Sequence, residues 1–360
     1  VVFGLSVSSS WGNGHATLWR GLIAALARNG HRVTFFECDA PWYRGARDLH
    51  ALPGGELHIY DCWADVAETA RRAVAEADAA IVTSFCPDVE AATALLLAHA
   101  PAARIYYDLD SPVTLERLDA GERVDYLPAA GLVGFDLVLS YAGGPILSEM
   151  ERRLGAVRAE PLYGHVDPAV HAPGHARPEF AGALSYIGTY AADRQPAVDE
   201  LFLQPARACP EARFVLAGSG YPDDFPWATN VFFVRHLPPA DHPDFYASQR
   251  LTLNVTRAGM KRWGYAPSGR LFEAAACGAA IVTDRWPGLD RFFAPGEELL
   301  VAESAADVEA ALARDDAELR RIADRARERV LAEHTSAHRA AELVELVRSI
   351  PARPEQRVAA

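Results

Sequence analysis

The sequence predicts an α/β chain made of two parallel-sheet halves, and three observations carry that prediction. Short β-branched apolar runs alternate with amphipathic helical stretches along almost the whole chain. The alternation breaks once, in the Pro-, Gly- and His-rich segment PLYGHVDPAVHAPGHARPEF (161–180), and then restarts. The 360 residues suffice for two domains of ordinary size.

The first half opens with VVFGLSVS, an apolar run that reads as a strand and not as a signal peptide, because it has no basic leader and only a short apolar core. The glycine loop SWGNGHA follows, then the helical stretch LWRGLIAALARNG and the strand RVTFFE, which together make a βαβ unit. LHIYD, AAIVTSF, RIYYDLD and LVLSYA read as strands. DVAETARRAVAEA, VEAATALLLAHA and PILSEMERRLG read as helices. After the break, ALSYIG, RFVLAG, VFFVRHL, LTLNVTR, AAIVTD and ELLVAES read as strands. The helices between and after them are QPAVDELFLQPARAC, HPDFYASQ, the Gly269 region, the short GLDRFF, AADVEAALA, DAELRRIADRARERVLAEH and SAHRAAELVELVRSI. Strands this apolar are buried on both faces, as in a parallel sheet covered by helices. Ligands in such sheets bind beyond the carboxyl ends of the strands.

Composition narrows the function. Half the residues are hydrophobic and 23% are charged, which is globular composition. A net charge of −13 argues against a general nucleic-acid binder. No apolar run approaches the ~20 residues of a membrane span. Cys38, Cys62, Cys86, Cys209 and Cys277 are odd in number, widely spread and without a CxxC pair, so a reducing cytoplasm is the expected setting.

Five loops at expected strand ends could carry chemistry. In SWGNGHA, Gly12 and Gly14 flank Asn13 and let backbone approach a ligand, although a tight strand-to-helix turn needs the same residues. His15 sits at the helix start as a candidate general base, or as a structural histidine. Asp108 and Asp110 in YYDLDSP have DxD spacing. A metal role is discounted because two carboxylates supply too few ligands, which leaves acceptor binding or a cap for the next turn. Gly188 and Arg194 in YIGTYAADR, with Arg235 and His236 in VRHLPP, fall on one rim if the sheet is parallel.

The fifth loop, LNVTRAGMKRWGYAPSGR, is the richest. It gathers Arg257, Arg270 and Lys261, the only lysine in the chain, before a helix that opens at Pro267, Ser268 and Gly269. Cations beside a helix N-terminus suit a phosphate or diphosphate. Glu273, one turn further in, would repel phosphate but could accept two hydrogen bonds from a ribose diol. An internal ion pair between Glu273 and Arg270 is the simpler alternative. The layout fits a nucleotide diphosphate. The absence of GxGxxG and of its ribose acid disfavours a dinucleotide dehydrogenase.

The segments SWGNGHATLWRGLIAALARNGHRVTFFECDAPWYRGARDL, YYDLDSPVTLERL and GYAPSGRLFEAAACGAAIVTD resemble the CgeB-like glycosyltransferases of the GT-B superfamily, and the resemblance runs from Val1 to about Ile350. It implies two Rossmann-like domains facing across a cleft, a nucleotide-sugar donor held mainly by the second, and a last helix that packs back on the first. The expected division is therefore 1–163 for the acceptor side, 164–335 for the donor side, 336–350 for the returning helix and 351–360 for a mobile tail. Retaining GT-B families carry two glutamates eight positions apart; Glu273 matches the second, the ribose position, while Tyr265 stands at the first. Those families also have an arginine and a lysine after the first donor-domain strand. Arg194 stands at the arginine, and Lys261 or Arg257 is left to supply the other charge.

The resulting expectation is a cytoplasmic glycosyltransferase that moves a sugar from a nucleotide diphosphate, UDP by default, to an acceptor of unknown class. No cofactor or metal is required, because Arg194, Arg257, Lys261, Arg270 and the helix N-terminus stabilise the leaving diphosphate. His15 would be the base in an inverting enzyme and would position the acceptor in a retaining one. A nucleotide-sugar epimerase on the same scaffold, or a non-catalytic nucleotide-sugar or glycan binder, are the alternatives.

Overall fold

The structure, a computed structural model, describes residues 1–99 and 101–351. The last residue of the helical run ending at Ala100, and the expected tail beyond Pro351, lie outside the described residues.

The first half runs β1 (Val2–Gly4), α1 (Gly14–Arg28), β2 (Val33–Cys38), α2 (Pro41–Arg44), β3 (Gly55–Tyr60), α3 (Trp63–Ala75) and β4 (Ala79–Thr83). It continues through α4 (Val89–His99), β5 (Ala103–Asp108), α5 (Ser111–Asp119), β6 (Leu137–Ser140), α6 (Pro145–Leu154) and β7 (Ala159–Pro161). These strands form one parallel sheet in the order β3-β2-β1-β4-β5-β6-β7. β6 is buried at every residue, as strands covered on both faces must be. α6 shows how local sequence sets an element's ends. Pro145 opens it, where a missing N–H costs nothing, and Gly155 closes it in the left-handed region at φ 75°.

The second half has β8 (Gly182–Ile187), a 3₁₀ turn (Ala192–Arg194), α7 (Gln195–Val198), a π turn (Asp199–Leu203) and α8 (Gln204–Ala208). Next come β9 (Phe214–Gly218), β10 (Val231–Arg235), α9 (His242–Ala247), β11 (Gln249–Asn254), α10 (Ala258–Trp263) and α11 (Gly269–Ala276). β12 (Ile281–Thr283), β13 (Leu300–Val301), α12 (Ala305–Leu312), α13 (Asp316–Glu333) and α14 (Ser336–Arg348) complete it. The sheet is again parallel throughout, in the order β10-β9-β8-β11-β12-β13. α12 and α13 begin at side-chain caps, Ser304 accepting from the Asp307 amide and Asp315 from the Glu318 amide.

Two compact units result. The first comprises Val1–Ser9, Leu22–Leu162 and the described residues from Arg339 on; the second comprises Ser10–Gly21 and Tyr163–His338. α14 joins the first unit from Arg339, and Arg158 Nη1 donates to Ser349 Oγ just past its end at 2.7 Å. The aperiodic 161–180 segment folds onto the second unit from Tyr163. The His175 amide donates to Asp244 Oδ1 and the Arg177 amide to Ser248 Oγ. Gly174 lies so close to the backbone of Pro243 and Asp244 that a Cβ there would collide with it. Among the described residues, no helix is long and apolar enough to cross a membrane.

In the first unit, the chain leaving β1 is fixed by Glu37, at the end of β2 and fully buried. Its carboxylate accepts from Ser6 Oγ, Ser8 Oγ and the amides of Val7 and Ser8, at 2.5–2.9 Å. Four donors offset the desolvation of one buried charge. They also fix where the glycine loop begins.

Candidate functional site

In the second sheet every strand ends on the same edge. β8 is the point where the order turns, with β9 and β10 on one side and β11 to β13 on the other. The crevice beyond such a switch point is the natural ligand site of a doubly wound sheet. The loops after β8 and β11 flank it and are tied together by Asp193, which accepts from the Ala258 amide at 3.2 Å and from Arg257 Nε at 3.3 Å. Arg194 donates through Nη1 to Tyr186 Oη at 3.1 Å, and its buried Nε has no hydrogen-bond partner among the described residues. Gly188 makes room for that guanidinium, since a Cβ would stand 2.8 Å from Tyr186 Oη and 3.2 Å from Arg194 Nη1.

The carbonyl of Gly188 accepts from Tyr221 Oη at 3.0 Å and is crossed by Gly218, at φ 153°, where any side chain would strike it. Gly218→Ala therefore lowers stability by about 1–3 kcal/mol, because it combines a disfavoured φ with a backbone collision. Chemical denaturation measures this, and a midpoint equal to wild type would show that the two loops are not packed this closely.

The loop expected to hold Arg257, Lys261 and Arg270 contains a helix of its own, α10, with Arg257 at its N-cap and Lys261 in its last turn. Lys261 Nζ lies 3.5 Å from Asp284 Oδ2. Asp284, nearly fully buried after β12, also takes the Thr256 amide and hydroxyl on Oδ1 at 3.0 and 2.8 Å. Burial pushes its carboxyl above the ordinary range, against the pull of Thr256 and Lys261. Asp193 and Asp284 thus each hold one of the expected cations in place. The Arg270 side chain, on the first turn of α11, makes no hydrogen bond or ion pair among the described residues. Ser268, the N-cap, makes no side-chain capping bond. The N-terminal end of α11 therefore offers uncapped amides beside an unengaged guanidinium.

Glu273 does not pair with Arg270. Its carboxylate faces two histidines that sequence reasoning did not single out. Oε2 lies 3.7 Å from His242 Nδ1, and Oε1 lies 4.0 Å from His171 Nε2. Burial lowers the pKa of His242 to about 4 despite the nearby Glu273 charge, so its ring is neutral at neutral pH. Only the clustering of histidines in 161–180 hinted at His171.

The remaining candidates are more scattered. Pro267 is buried beside the α11 cap. Arg235 is exposed at the end of the edge strand β10, two strand spacings or roughly 10 Å from β8, so it shares the rim but not the switch point. His236 adopts φ 54° and donates its amide to the Gly218 carbonyl. Tyr265, where the resemblance implies a first glutamate, has φ 47° and donates its amide to the Pro287 carbonyl at 2.7 Å. Its ring covers Gly288, where a Cβ would stand 2.5 Å away.

Gly12, Asn13, Gly14 and His15 belong to the second unit. A Cβ on Gly12 would lie 3.6 Å from Ser219 Oγ and 3.9 Å from Thr189 Oγ1. Asn13 Oδ1 accepts from the His15 amide at 3.1 Å, so it caps α1, and the His15 side chain is half-buried on the first turn. Asp108 and Asp110 lie in the first unit. Asp108 is fully buried and its Oδ1 accepts from the Asp110 amide at 2.9 Å, an Asx turn that leads into α5. Among the described residues this pair is not part of any group of three metal-ligating side chains.

Two doubly wound parallel sheets, the second with a cation-lined switch point and an open helix end, define the GT-B class of fold. Residues 194–345, which hold most of that rim, match the family model described as glycosyl transferase-like. The fold is of the GT-B class, which the solved structures similar to this chain share. The chain is similar to sucrose-phosphate synthase from Thermosynechococcus elongatus, at 16% identity and a TM-score of 0.69, over 96% of this chain and 98% of that one. Anabaena HepE in complex with UDP-glucose is similar at 12% identity and a TM-score of 0.68, over 97% and 99%. T4 phage BGT in complex with its UDP-glucose substrate is similar at 12% identity and a TM-score of 0.61, over 97% and 98%. No curated protein sequence matches the chain.

Proposed function

We propose that this protein is a CgeB-like glycosyltransferase that takes its sugar from a nucleotide diphosphate, of the UDP type, without a metal ion. The observation that carries this reading is the order of charges along α11. Uncapped amides and the Arg270 guanidinium stand at its tip, and a carboxylate able to grip a diol stands one turn inward. Arg194 reaches the same rim from the β8 loop, with one buried N–H unengaged. The bound UDP-glucose of HepE and of BGT supports the choice of nucleotide.

Transfer breaks the bond between the anomeric carbon and the diphosphate oxygen, and both bonding electrons stay on the diphosphate. Arg194, Arg257, Lys261, Arg270 and the α11 N-terminus stabilise that charge through fixed dipoles and cations. Asp193 and Asp284 hold Arg257 and Lys261 in place, so little reorganisation accompanies the step. The acceptor hydroxyl loses its proton to His15 in an inverting reaction, or to the departing phosphate in a retaining one.

A thermal-shift screen across nucleoside diphosphates and their sugars tests the donor class. A ligand bound only by the native state at 100 times its Kd adds about 2.7 kcal/mol. UDP and at least one UDP-sugar stabilise the protein, and slow donor hydrolysis persists in excess EDTA. A profile with no nucleotide response sinks the reading. Activity lost in EDTA and restored by magnesium would return the chemistry to a metal. Conversion of the sugar without hydrolysis or transfer would make the protein an epimerase.

A further inference from the structure

His171, His242 and Glu273 come from three separate segments, yet their ligating atoms all lie within 4.8 Å of one another. His171 Nε2 and His242 Nδ1 are 3.2 Å apart, and the Glu273 oxygens stand 3.7 and 4.0 Å from them. Donors spaced around a four-coordinate zinc-class ion at about 2.0–2.2 Å are themselves roughly 3.4 Å apart, so the triangle already has the right size.

The protons point the same way. His242 Nε2 faces the Leu237 carbonyl at 3.3 Å, which places its hydrogen there and leaves the Nδ1 lone pair turned toward the cluster. The Glu273 carboxylate accepts no hydrogen bond among the described residues. Three electron-pair donors therefore converge with at most one proton, on His171 Nε2, to share among them. The His171 side chain is fully buried, and those of His242 and Glu273 are 10% and 14% exposed, so an ion could enter from the Glu273 side.

The assembly is also built. Gly174 lets the 161–180 segment lie directly on the start of α9, with the His175 and Arg177 amides bonded to Asp244 and Ser248. That contact brings His171 onto His242.

We propose that His171 Nε2, His242 Nδ1 and the Glu273 carboxylate form a site for a divalent transition-metal ion of the zinc class, with the fourth position open to solvent. The site goes beyond the glycosyltransferase reading and assigns the metal no part in transfer. Glu273 is shared, so, resting on that reading, bound ion and nucleotide ribose exclude each other.

The full-length protein, stripped with EDTA and freed of chelator, is titrated with ZnCl₂ by calorimetry and with CoCl₂ by visible absorption. One equivalent of zinc binds, and cobalt shows the intense visible bands of a four-coordinate ion. His171→Ala and His242→Ala each weaken binding by at least the ~100-fold that even a lost outer-shell partner can cost. Circular dichroism confirms that both variants are folded. If one is not, the cobalt spectrum of the wild type and zinc binding by His242→Gln decide instead. An octahedral cobalt spectrum, or zinc affinity unchanged in folded histidine variants, overturns the site and leaves adventitious surface binding. UDP titrated in EDTA reports separately on the donor reading. Zinc bound through the histidines without effect on UDP affinity would leave the metal site standing and remove Glu273 from the ribose.

Discussion

Replacing Glu273 with alanine weakens UDP binding roughly tenfold or more, a loss of about 1.4 kcal/mol per tenfold. The expected size follows from what the side chain offers. An ionised carboxylate that accepts two hydroxyls of a diol makes two charge-assisted bonds, each worth roughly 1.5–3 kcal/mol, and they do not add fully because both share one desolvation. The position supports the role. Glu273 is inside the first turns of α11, close enough to its tip to reach a ribose and far enough in to avoid the phosphates. No guanidinium neutralises it, because Arg270 makes no ion pair among the described residues. Calorimetry with UDP in EDTA measures the effect free of any ion at the histidine pair. Hydrolysis and transfer fall with the affinity, since the same donor complex feeds both. Glu273→Gln keeps the shape and one acceptor, and falls between wild type and Ala. A Glu273→Ala protein that binds UDP like wild type would make the carboxylate a structural group and remove the keystone of the donor site.

Strong local signals made much of the fold legible in sequence. Strands such as LVLS and IVT are continuous apolar runs because both faces are covered, and their alternation with helices fixes a parallel sheet. The α11 segment was readable because small residues, a glycine start and one acid fall at fixed spacing. The elements that escaped notice lack such signals. β7 is three residues with a proline, α10 is six residues around Gly259, and α5 begins in the same DxD turn that drew attention to metals.

The pairings that shape the site are invisible for a different reason. Asp284 meets Thr256 across 28 positions, and Arg257 meets Asp193 across 64. His171 meets His242 across 71. Nothing in the local composition of either partner announces the other; only the strand order brings them together. Arg257 and Lys261 stand out in the sequence as cations of one loop, while the acids that hold them do not.

In an inverting reaction, His15→Ala slows transfer by roughly 10²–10⁴-fold while leaving UDP affinity within a few-fold of wild type. General-base assistance to an incoming hydroxyl is worth roughly 10²–10⁴-fold, and removing the imidazole forfeits it without touching a phosphate or a ribose. The backbone argues that the effect is chemical. Asn13 Oδ1 holds the His15 amide, and this N-cap survives truncation of the His15 side chain beyond Cβ. α1 therefore starts in the same place in the variant. Steady-state transfer with the acceptor, run beside calorimetry with UDP, separates the two quantities, and the fall should appear in kcat and in kcat/KM alike. Asn13→Ala supplies the contrast. It loses the cap, at a cost of about 1 kcal/mol in stability, and moves the imidazole indirectly, so transfer falls less than in His15→Ala. The nearness of Gly12 to Thr189 and Ser219 gives the opposing outcome a definite meaning. If His15→Ala weakens UDP binding as much as it slows transfer, the imidazole serves the diphosphate beside the β8 and β9 loops, and the base for the acceptor must be sought elsewhere.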